Sequence, residues 1–465
     1  MPTNIDTDYL VIGAGAMGMA FVDTLCTETD AHITLVDRYG QPGGHWTTAY
    51  PFVRLHQPST FYGVNSRDLG VEHIDVTGWN SGLNELASAA EVCAYFDQVM
   101  QQQLVASGRV DYFPMCDYLG EGRFKRIVTG DTCQVSVRKR IVDATYMRVI
   151  VPSMRAPSYA VAPGITCVPL NDLPRLRSAR EHYTVVGAGK TGMDACLWLL
   201  KQSVAPGAIR WIMPRDSWLL DRARIQPGTK FVSDIVAGIA AQVQAIDEAA
   251  DVESLFDALE ACGQLLRLSP EVRPTKYKCA TVTKAELEQL RRIDDVVRLG
   301  RLQRIASNRI VLEQGEVAAT PDTLYVDCSA DGLERRTAAP IFAPGQIRLQ
   351  SVRTCQQVFS AAFIAHVEAA YPDDETRNRL CNPVPHPDSD LDFLRTNIDS
   401  NRNEICWAED DAIQRWLNGA RLQMMRNLRP REVPSLEVRR HLATNMQRQS
   451  DKLEAFLKVH LQSDS

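Results

Sequence analysis

A chain of 465 residues is too long for one ordinary core and suits two or three domains. With 45% hydrophobic and 23% charged residues it has the apolar material of packed cores, which sets aside a disordered or fibrous chain. A formal charge of -6 supplies no basic field for a polyanion, so nucleic acid is not expected as a partner.

The first residues, MPTNIDTDYLVIGAGAMG, place acids where a signal peptide needs a basic region and run straight into a strand. No apolar run is long enough to cross a bilayer; WLLKQSVAPGAIRWIM is broken by Lys201, Pro206 and Arg210. The expectation is a cytoplasmic protein with no membrane partner. Tyr9 to Ile12 reads as a strand, GAGAMG as a glycine turn, the next residues to about Cys26 as a helix, and HITLVD as a second strand. In this βαβ unit Gly13 suits the tight turn, Gly15 the approach of a pyrophosphate, and Gly18 the packing of helix on strand. Asp37 closes the second strand, where an acid can accept hydrogen bonds from ribose hydroxyls. A glycine turn that merely packs is the alternative.

A helix near Glu91 to Ser107 and strands at Val110 to Phe113, Arg123 to Thr129, Gln134 to Val137 and Arg140 to Ala144 complete the first domain. The proline-rich VPSMRAPSYAVAPGITCVPLNDLP marks a crossing. A second βαβ unit begins at Tyr183 with YTVVGAGKTGMDACLWLL and returns as AIRWIMPR. Gly187, Gly189 and Gly192 repeat the phosphate logic, with Lys190 and Thr191 in the same loop. Arg215, just past the returning strand, suits a ribose 2′-phosphate, with a solvated surface charge as the alternative. A helical pattern from about Val232 to Leu268 reads as a lid or substrate-side insertion, TLYVDCSADGL as the return to the first domain, and the residues beyond Asn382 as helices with loops.

The fold class is therefore α/β, with two Rossmann-type three-layer dinucleotide-binding domains, the second inserted in the first, and helical additions. The expected bounds are 1–160 with 320–380, 175–230 with 280–320, a helical insertion at 231–280, and a C-terminal helical region at 381–465. Twelve cysteines are scattered without a CxxC pair, so most are expected to be reduced and buried, and a disulfide reductase with a nearby dithiol is disfavoured. With no HExxH motif or Cys/His array, no metal is expected.

After Asp37 the run RYGQPGGHW, with Gly43, Gly44 and Trp46, resembles the GGxW element of flavin-containing monooxygenases and Baeyer–Villiger monooxygenases. TTAYPFVRLHQPSTFYG is similar to that family's YPxxRxDxPSxxY run. The resemblance implies FAD in the first domain, with Arg38, Gly44, His45, Trp46 and Arg54 among its contacts. IVDAT (141–145) and VDCSADGL, which carries Asp331, resemble segments that bring backbone close to FAD. Arg215, Trp218 and Arg222 resemble the arginine and tryptophan group after the second loop, which implies NADPH; Trp218 is equally readable as core.

Two departures stand out. The interdomain FxGxxxHSxxY element is replaced by APGITCVPLNDLP, and the aspartate of the YPxxRxD run by Leu55-His56. His56 is then either a proton donor beside the flavin or a polar residue bonded to backbone, and Gln57 and Asn65 are candidates to touch flavin or substrate. The implied activity is an FAD-dependent, NADPH-using monooxygenase that oxygenates a small organic substrate with molecular oxygen through a C4a-(hydro)peroxyflavin. The missing linker leaves open a flavin reductase or oxidase without oxygenation, or a non-catalytic redox-sensing module. A homo-oligomer is compatible with the sequence.

Overall fold

Strand alternation in the first βαβ unit already requires layers on both sides of the sheet. In β1 (Thr3–Ile12) Tyr9 and Val11 enter one hydrophobic cluster and Leu10 another. The computed structural model describes residues 3–330, 332–333, 336–428 and 432–463. After β1 come α1 (Ala16–Glu28), β2 (Ile33–Val36), α2 (Ala89–Val99), β3 (Val110–Phe113), β4 (Cys116–Gly120), β5 (Arg123–Arg126) and β6 (Thr132–Asp143). The chain continues through β7 (Ala160–Val161), β8 (Cys167–Pro169), β9 (His182–Val186), α3 (Lys190–Lys201), β10 (Ile209–Ile212) and β11 (Ser217–Asp221). Then follow α4 (Val232–Glu248), α5 (Val252–Ala261), β12 (Leu265–Leu266), β13 (Lys276–Val282), α6 (Lys284–Leu290), β14 (Asp295–Val297), β15 (Leu302–Ile305), β16 (Arg309–Leu312), β17 (Gly315–Ala318) and β18 (Thr323–Asp327). The last elements are β19 (Phe342–Ala343), β20 (Gln346–Arg348), α7 (Gln357–Ala370), α8 (Asp374–Leu380), α9 (Asp390–Ala408), α10 (Asp411–Gly419) and α11 (Leu436–Ser463).

The first sheet runs β19-β20-β6-β1-β2-β3, with β20, β6, β1, β2 and β3 parallel. On one face α1 packs along α7, where Phe21 and Leu25 meet Phe363 and Ile364. On the other, Leu10 and Val36 meet Phe124, Cys133 and Val135 of the antiparallel β4-β5-β6 meander. The second sheet, β14-β10-β9-β18-β8, is parallel throughout. Tyr183 and Val185 face Leu199 of α3 and Leu287 of α6, while Val186, Ile212 and Tyr325 face Ile305, Ile310 and Leu312 of the β7-β15-β16-β17 sheet. Both units are thus helix, parallel sheet and a largely antiparallel outer layer, with only β7 joining β15 in parallel.

The expected boundary at residue 320 is corrected by β18. TLYVD pairs in parallel with β9, from Thr323 opposite His182 to Asp327 opposite Val186, and so completes the second sheet. Its nearly continuous burial is what a central parallel strand requires. The first domain resumes later, where Gln346 to Arg348 pair with Ile141 to Asp143 of β6. The insertion also departs from an all-helical reading: after α4 and α5, β13 pairs in parallel with β11. Trp218, Phe256, Tyr277, Phe393 and Leu453 form a third core that joins this insertion to α9 and α11. Among the described residues no helix is long and apolar enough to cross a membrane.

Candidate functional site

At the end of β1 the chain turns at Gly13, whose φ of 102° glycine adopts without strain. Gly13 N–H donates to Val36 O at 2.8 Å and Ala144 N–H to Ile12 O at 3.0 Å, so the loop is seated between the ends of β2 and β6. A Cβ on Gly18 would lie 2.0 Å from Gly13 O, which leaves the start of α1 no room for a side chain there. Gly15 differs: a Cβ would meet only Gly44 Cα, at 3.6 Å. The helix has no acid in its first turn and no side-chain N-cap. Its N–H groups and dipole therefore face an open space suited to a pyrophosphate.

Asp37 is buried and accepts from Ala14 N–H at 2.5 Å and Tyr39 N–H at 2.7 Å. Burial raises its carboxyl above the usual range, against these two bonds. Each oxygen keeps a further acceptor position for a ribose hydroxyl. Arg38 is exposed, 3.7 Å from Asp117.

Gly43 N–H donates to Ala14 O at 2.8 Å and brings the GGHW turn over the first loop. Gly44 has φ of 59°, and a Cβ there would sit 2.9 Å from Gly15 Cα. Trp46 is buried and its Nε1–H donates to Tyr62 Oη at 2.7 Å, while His45 is exposed. From Tyr50 the chain becomes a strap between the domains. Tyr50 O–H donates to Asp194 Oδ2 at 2.5 Å, and Phe52 stacks on Trp198 of α3 with centroids 5.1 Å apart. Arg54 donates to Leu86 O at 2.7 Å, and Arg222 Nε–H to His56 O at 3.0 Å.

Thr281 N–H donates to His56 Nδ1 at 3.3 Å. Burial, helped by the cations Lys190 and Arg222, pulls the His56 imidazole down to about 3. The ring is therefore neutral at ordinary pH, with Nδ1 as acceptor and the proton on Nε2. It can donate a hydrogen bond but is not a reserve of acid. Gln57 is half-buried beside it. Asn65 is tied elsewhere: its Oδ1 accepts from Leu422 N–H at 3.3 Å, next to Arg421, which donates to Thr60 O and Tyr62 O.

The second loop repeats the turn with different surroundings. Gly187 has φ of 127°, and a Cβ would meet Cys328 O at 2.4 Å. The start of VDCSADGL, through Cys328, thus backs the second loop, a correction that follows from β18 lying beside β9; Leu333 at its end bridges to Val149, and Asp331 lies outside the described residues. A Cβ on Gly192 would lie 2.0 Å from Gly187 O, whereas one on Gly189 would meet nothing within 4 Å. Lys190, beside half-buried Thr191, forms an ion pair with Asp194 one turn along α3. Beyond β10, Arg215 is exposed, and among the described residues no hydrogen bond or ion pair holds its guanidinium.

The arginine and tryptophan cluster suggested by the resemblance does not form. Trp218 is 1% exposed, packed against Phe256 with Arg267 over its ring. Arg222 is equally buried and pairs with Glu286 at 2.9 Å and Asn80 at 3.0 Å. Both face inward from β11 and its end, so Arg215 alone of the three is open to solvent.

A cavity of about 490 Å³ opens where the insertion, the first domain and the C-terminal region meet, with Tyr146, Met147, Lys278, Ser351 and His386 in its wall. Its size suits a small organic molecule. Two features had escaped the sequence reading. One is the Tyr50–Asp194–Lys190 chain between the domains. The other is a disulfide between Cys279 and Cys355, separated by 76 residues, for which spacing offers no signal; the other ten cysteines are free. Among the described residues no group of three or more His, Cys, Asp and Glu side chains gathers as a metal site.

The chain matches no protein-family model. It is 57% identical over 444 residues to uncharacterized proteins of Mycobacterium tuberculosis and Mycobacterium bovis, covering 96% of this chain and 82% of theirs. Solved structures of similar fold include an open form of cyclohexanone monooxygenase, at 13% identity over 78% of this chain and 87% of that chain, with a TM-score of 0.49. Another is a steroid monooxygenase bound to NADP, at 13% identity over 78% and 85%, with a TM-score of 0.49. Cyclohexanone monooxygenase from Rhodococcus sp. Phi1 bound to NADP+ is similar at 12% identity over 97% and 98%, with a TM-score of 0.48.

Proposed function

We propose that this chain, which belongs to the family of the mycobacterial proteins it matches over 96% of its length, is an FAD-dependent, NADPH-using monooxygenase of a small organic substrate. The observation that carries the reading is a pair of open helix N-termini, each at the end of a parallel sheet, one covered by the GGHW turn and the other followed by exposed Arg215, unpaired among the described residues. Gly13, Gly15, Gly18 and Gly44 shape the cradle for the FAD pyrophosphate, Asp37 orients the loop and the ribose, and Trp46 packs beside them. Gly187, Gly189 and Gly192, with Lys190 and Thr191, receive the pyrophosphate of NADPH, and Arg215 its 2′-phosphate.

FAD, when bound, supplies acceptance of a hydride and two-electron chemistry with oxygen. The protein's own side chains position and exclude. Tyr50, Phe52 and Trp198 pack as an aromatic seam between the strap and α3. His56, fixed by Thr281 and Arg222, offers its Nε2–H as a neutral donor. Oxygenation in particular is supported by the likeness of GGHW and YPFVRLHQPS to the monooxygenase runs. The test incubates the FAD-loaded protein with NADPH, labelled oxygen and cell extract, and follows label by mass spectrometry. Label in an organic product is expected. NADPH consumption that yields only labelled hydrogen peroxide would make the protein an oxidase.

A further inference from the structure

Along β13 the sequence KYKCATV should keep step with β11, but the register slips: Trp218 stands opposite Tyr277 and Leu220 opposite Thr281. Two steps on β11 therefore face four on β13, a bulge centred on Cys279, and a bulge re-aims the side chain it carries. Cys279 has φ of 53°, in the left-handed region that is strained for a residue other than glycine. Its partner Cys355 has φ of 56°. The bulge and the two left-handed residues thus flank the bridge.

The surroundings of the bridge are chemical as well as structural. Cys355 stands two residues before the first residue of the 14-residue α7, whose dipole favours a thiolate there. His386 Nδ1 lies 3.9 Å from Cys355 Sγ, and His386 also lines the 490 Å³ cavity. On the other side, Thr281, two residues from Cys279, holds His56. The bridge thus lies between the strap that carries His56 and the cavity. By contrast Cys196, Cys328 and Cys381 are sealed in apolar surroundings, where burial pushes their thiols up and keeps them inert.

We propose that Cys279–Cys355 is a redox-active disulfide, a second two-electron carrier reduced with the electron pair of NADPH. The inference rests on the FAD and NADPH reading above. The Sγ–Sγ bond breaks; the two sulfurs take up the hydride's electron pair and proton together with one further proton, and become two thiols. NADPH leaves as NADP+, and bound flavin is unchanged overall. His386 is the positioning residue that exchanges the proton of Cys355 with the cavity.

The experiment counts thiols in the FAD-loaded protein. Anaerobic samples with and without NADPH are quenched in denaturant with a maleimide and weighed intact. Ten modified cysteines are expected without NADPH and twelve with it, since the chain holds twelve and ten are free. Cys355→Ser and Cys279→Ser should each give eleven in both states. His386→Asn should reach the same final count more slowly, and an unchanged rate would remove His386 from the proposal. Bleached flavin with the count still at ten, or twelve thiols before any reductant, overturns the redox role. If NADPH leaves the flavin oxidised, the dinucleotide reading fails instead; photoreduction of the bound flavin then tests the bridge by itself, ten thiols overturning its redox role and twelve sustaining it. A protein that takes up no flavin sinks both.

Discussion

The two glycine loops are near copies in sequence, GAGAMGMA and GAGKTGMD, yet they are built into the molecule differently. The first is clamped. Buried Asp37 accepts from Ala14 N–H, Gly43 N–H donates to Ala14 O, and Gly44 lies against Gly15. The second is open: among the described residues nothing lies within 4 Å of a Cβ at Gly189 and nothing holds Arg215, while the acid beyond β10, Asp216, is turned away onto Arg298 at 2.7 Å. Where the first helix carries Ala16 and Ala20, the second carries the ion-paired Lys190 and Asp194. A clamped, covered loop suits a cofactor that stays, and an open, charged one suits a nucleotide that comes and goes.

The sharpest way to break this comparison is to fill each cradle in turn. Gly15→Ala places a methyl in the open space with only an ordinary contact to Gly44, at 3.6 Å, so the apo-protein should fold. FAD affinity should fall by at least about a hundredfold, or about 2.7 kcal/mol, because that space belongs to the pyrophosphate. Gly189→Ala should spare FAD and weaken NADPH. Fluorescence titration of FAD into the apo-protein and NADPH into the holo-protein reads both, and full FAD retention in Gly15→Ala would remove the first loop from the site.

Arg215 tests the second half of the comparison. Arg215→Ala removes charge-assisted hydrogen bonds worth roughly 1.5–3 kcal/mol, so the NADPH dissociation constant should rise about tenfold to a hundredfold. NADH should change much less. Anaerobic flavin reduction with each nucleotide measures the ratio, and an unchanged preference would show that Arg215 is a bystander.

What the sequence made legible follows the same division. Glycine positions report steric necessity at short range, so Gly13, Gly18, Gly187 and Gly192 were readable from spacing alone. Contacts across the domain boundary were not. Nothing local distinguishes Tyr50 or His56 as members of a strap, because their partners Asp194, Arg222 and Thr281 are more than 140 residues away. TLYVD belongs to the second sheet and not the first, since a buried parallel strand reads the same in either one and only its pairing with β9 decides. Trp218 and Arg222 lie close to Arg215 in sequence, but strand geometry turns them into the core.

The strap gives a smaller, pH-dependent effect. His56 titrates near 3 in the folded chain against an ordinary value of 6.5, so between those values the unfolded chain binds the extra proton. The stability that neutral His56 contributes is complete above pH 6.5 and is lost progressively as pH falls toward 3. From pH 7.5 to about 5 the loss should be about 2 kcal/mol. His56→Gln keeps an acceptor for Thr281 N–H but does not titrate, so its stability should fall less over that interval. Urea unfolding of both proteins at the two pH values gives the difference; parallel losses would mean that His56 is accessible to protons in the folded state.

The smallest expected effect bears on what makes the second loop exchangeable. The charge of Lys190 is shared with Asp194, so a pyrophosphate must compete with that carboxylate for the ammonium. Asp194→Asn removes the competition and still offers an oxygen to the Tyr50 hydroxyl, which keeps the domain contact. Both NADPH and NADH should then bind more tightly, by about threefold to tenfold, as expected for a partly exposed ion pair worth roughly 1 kcal/mol. The ratio of the two affinities should stay fixed, because the pyrophosphate is common to both nucleotides and the 2′-phosphate is not. This separates Lys190 from Arg215, whose loss changes the ratio. Equal affinities in the variant and the parent would place Lys190 outside the phosphate site and leave the open helix end and Arg215 to hold the nucleotide.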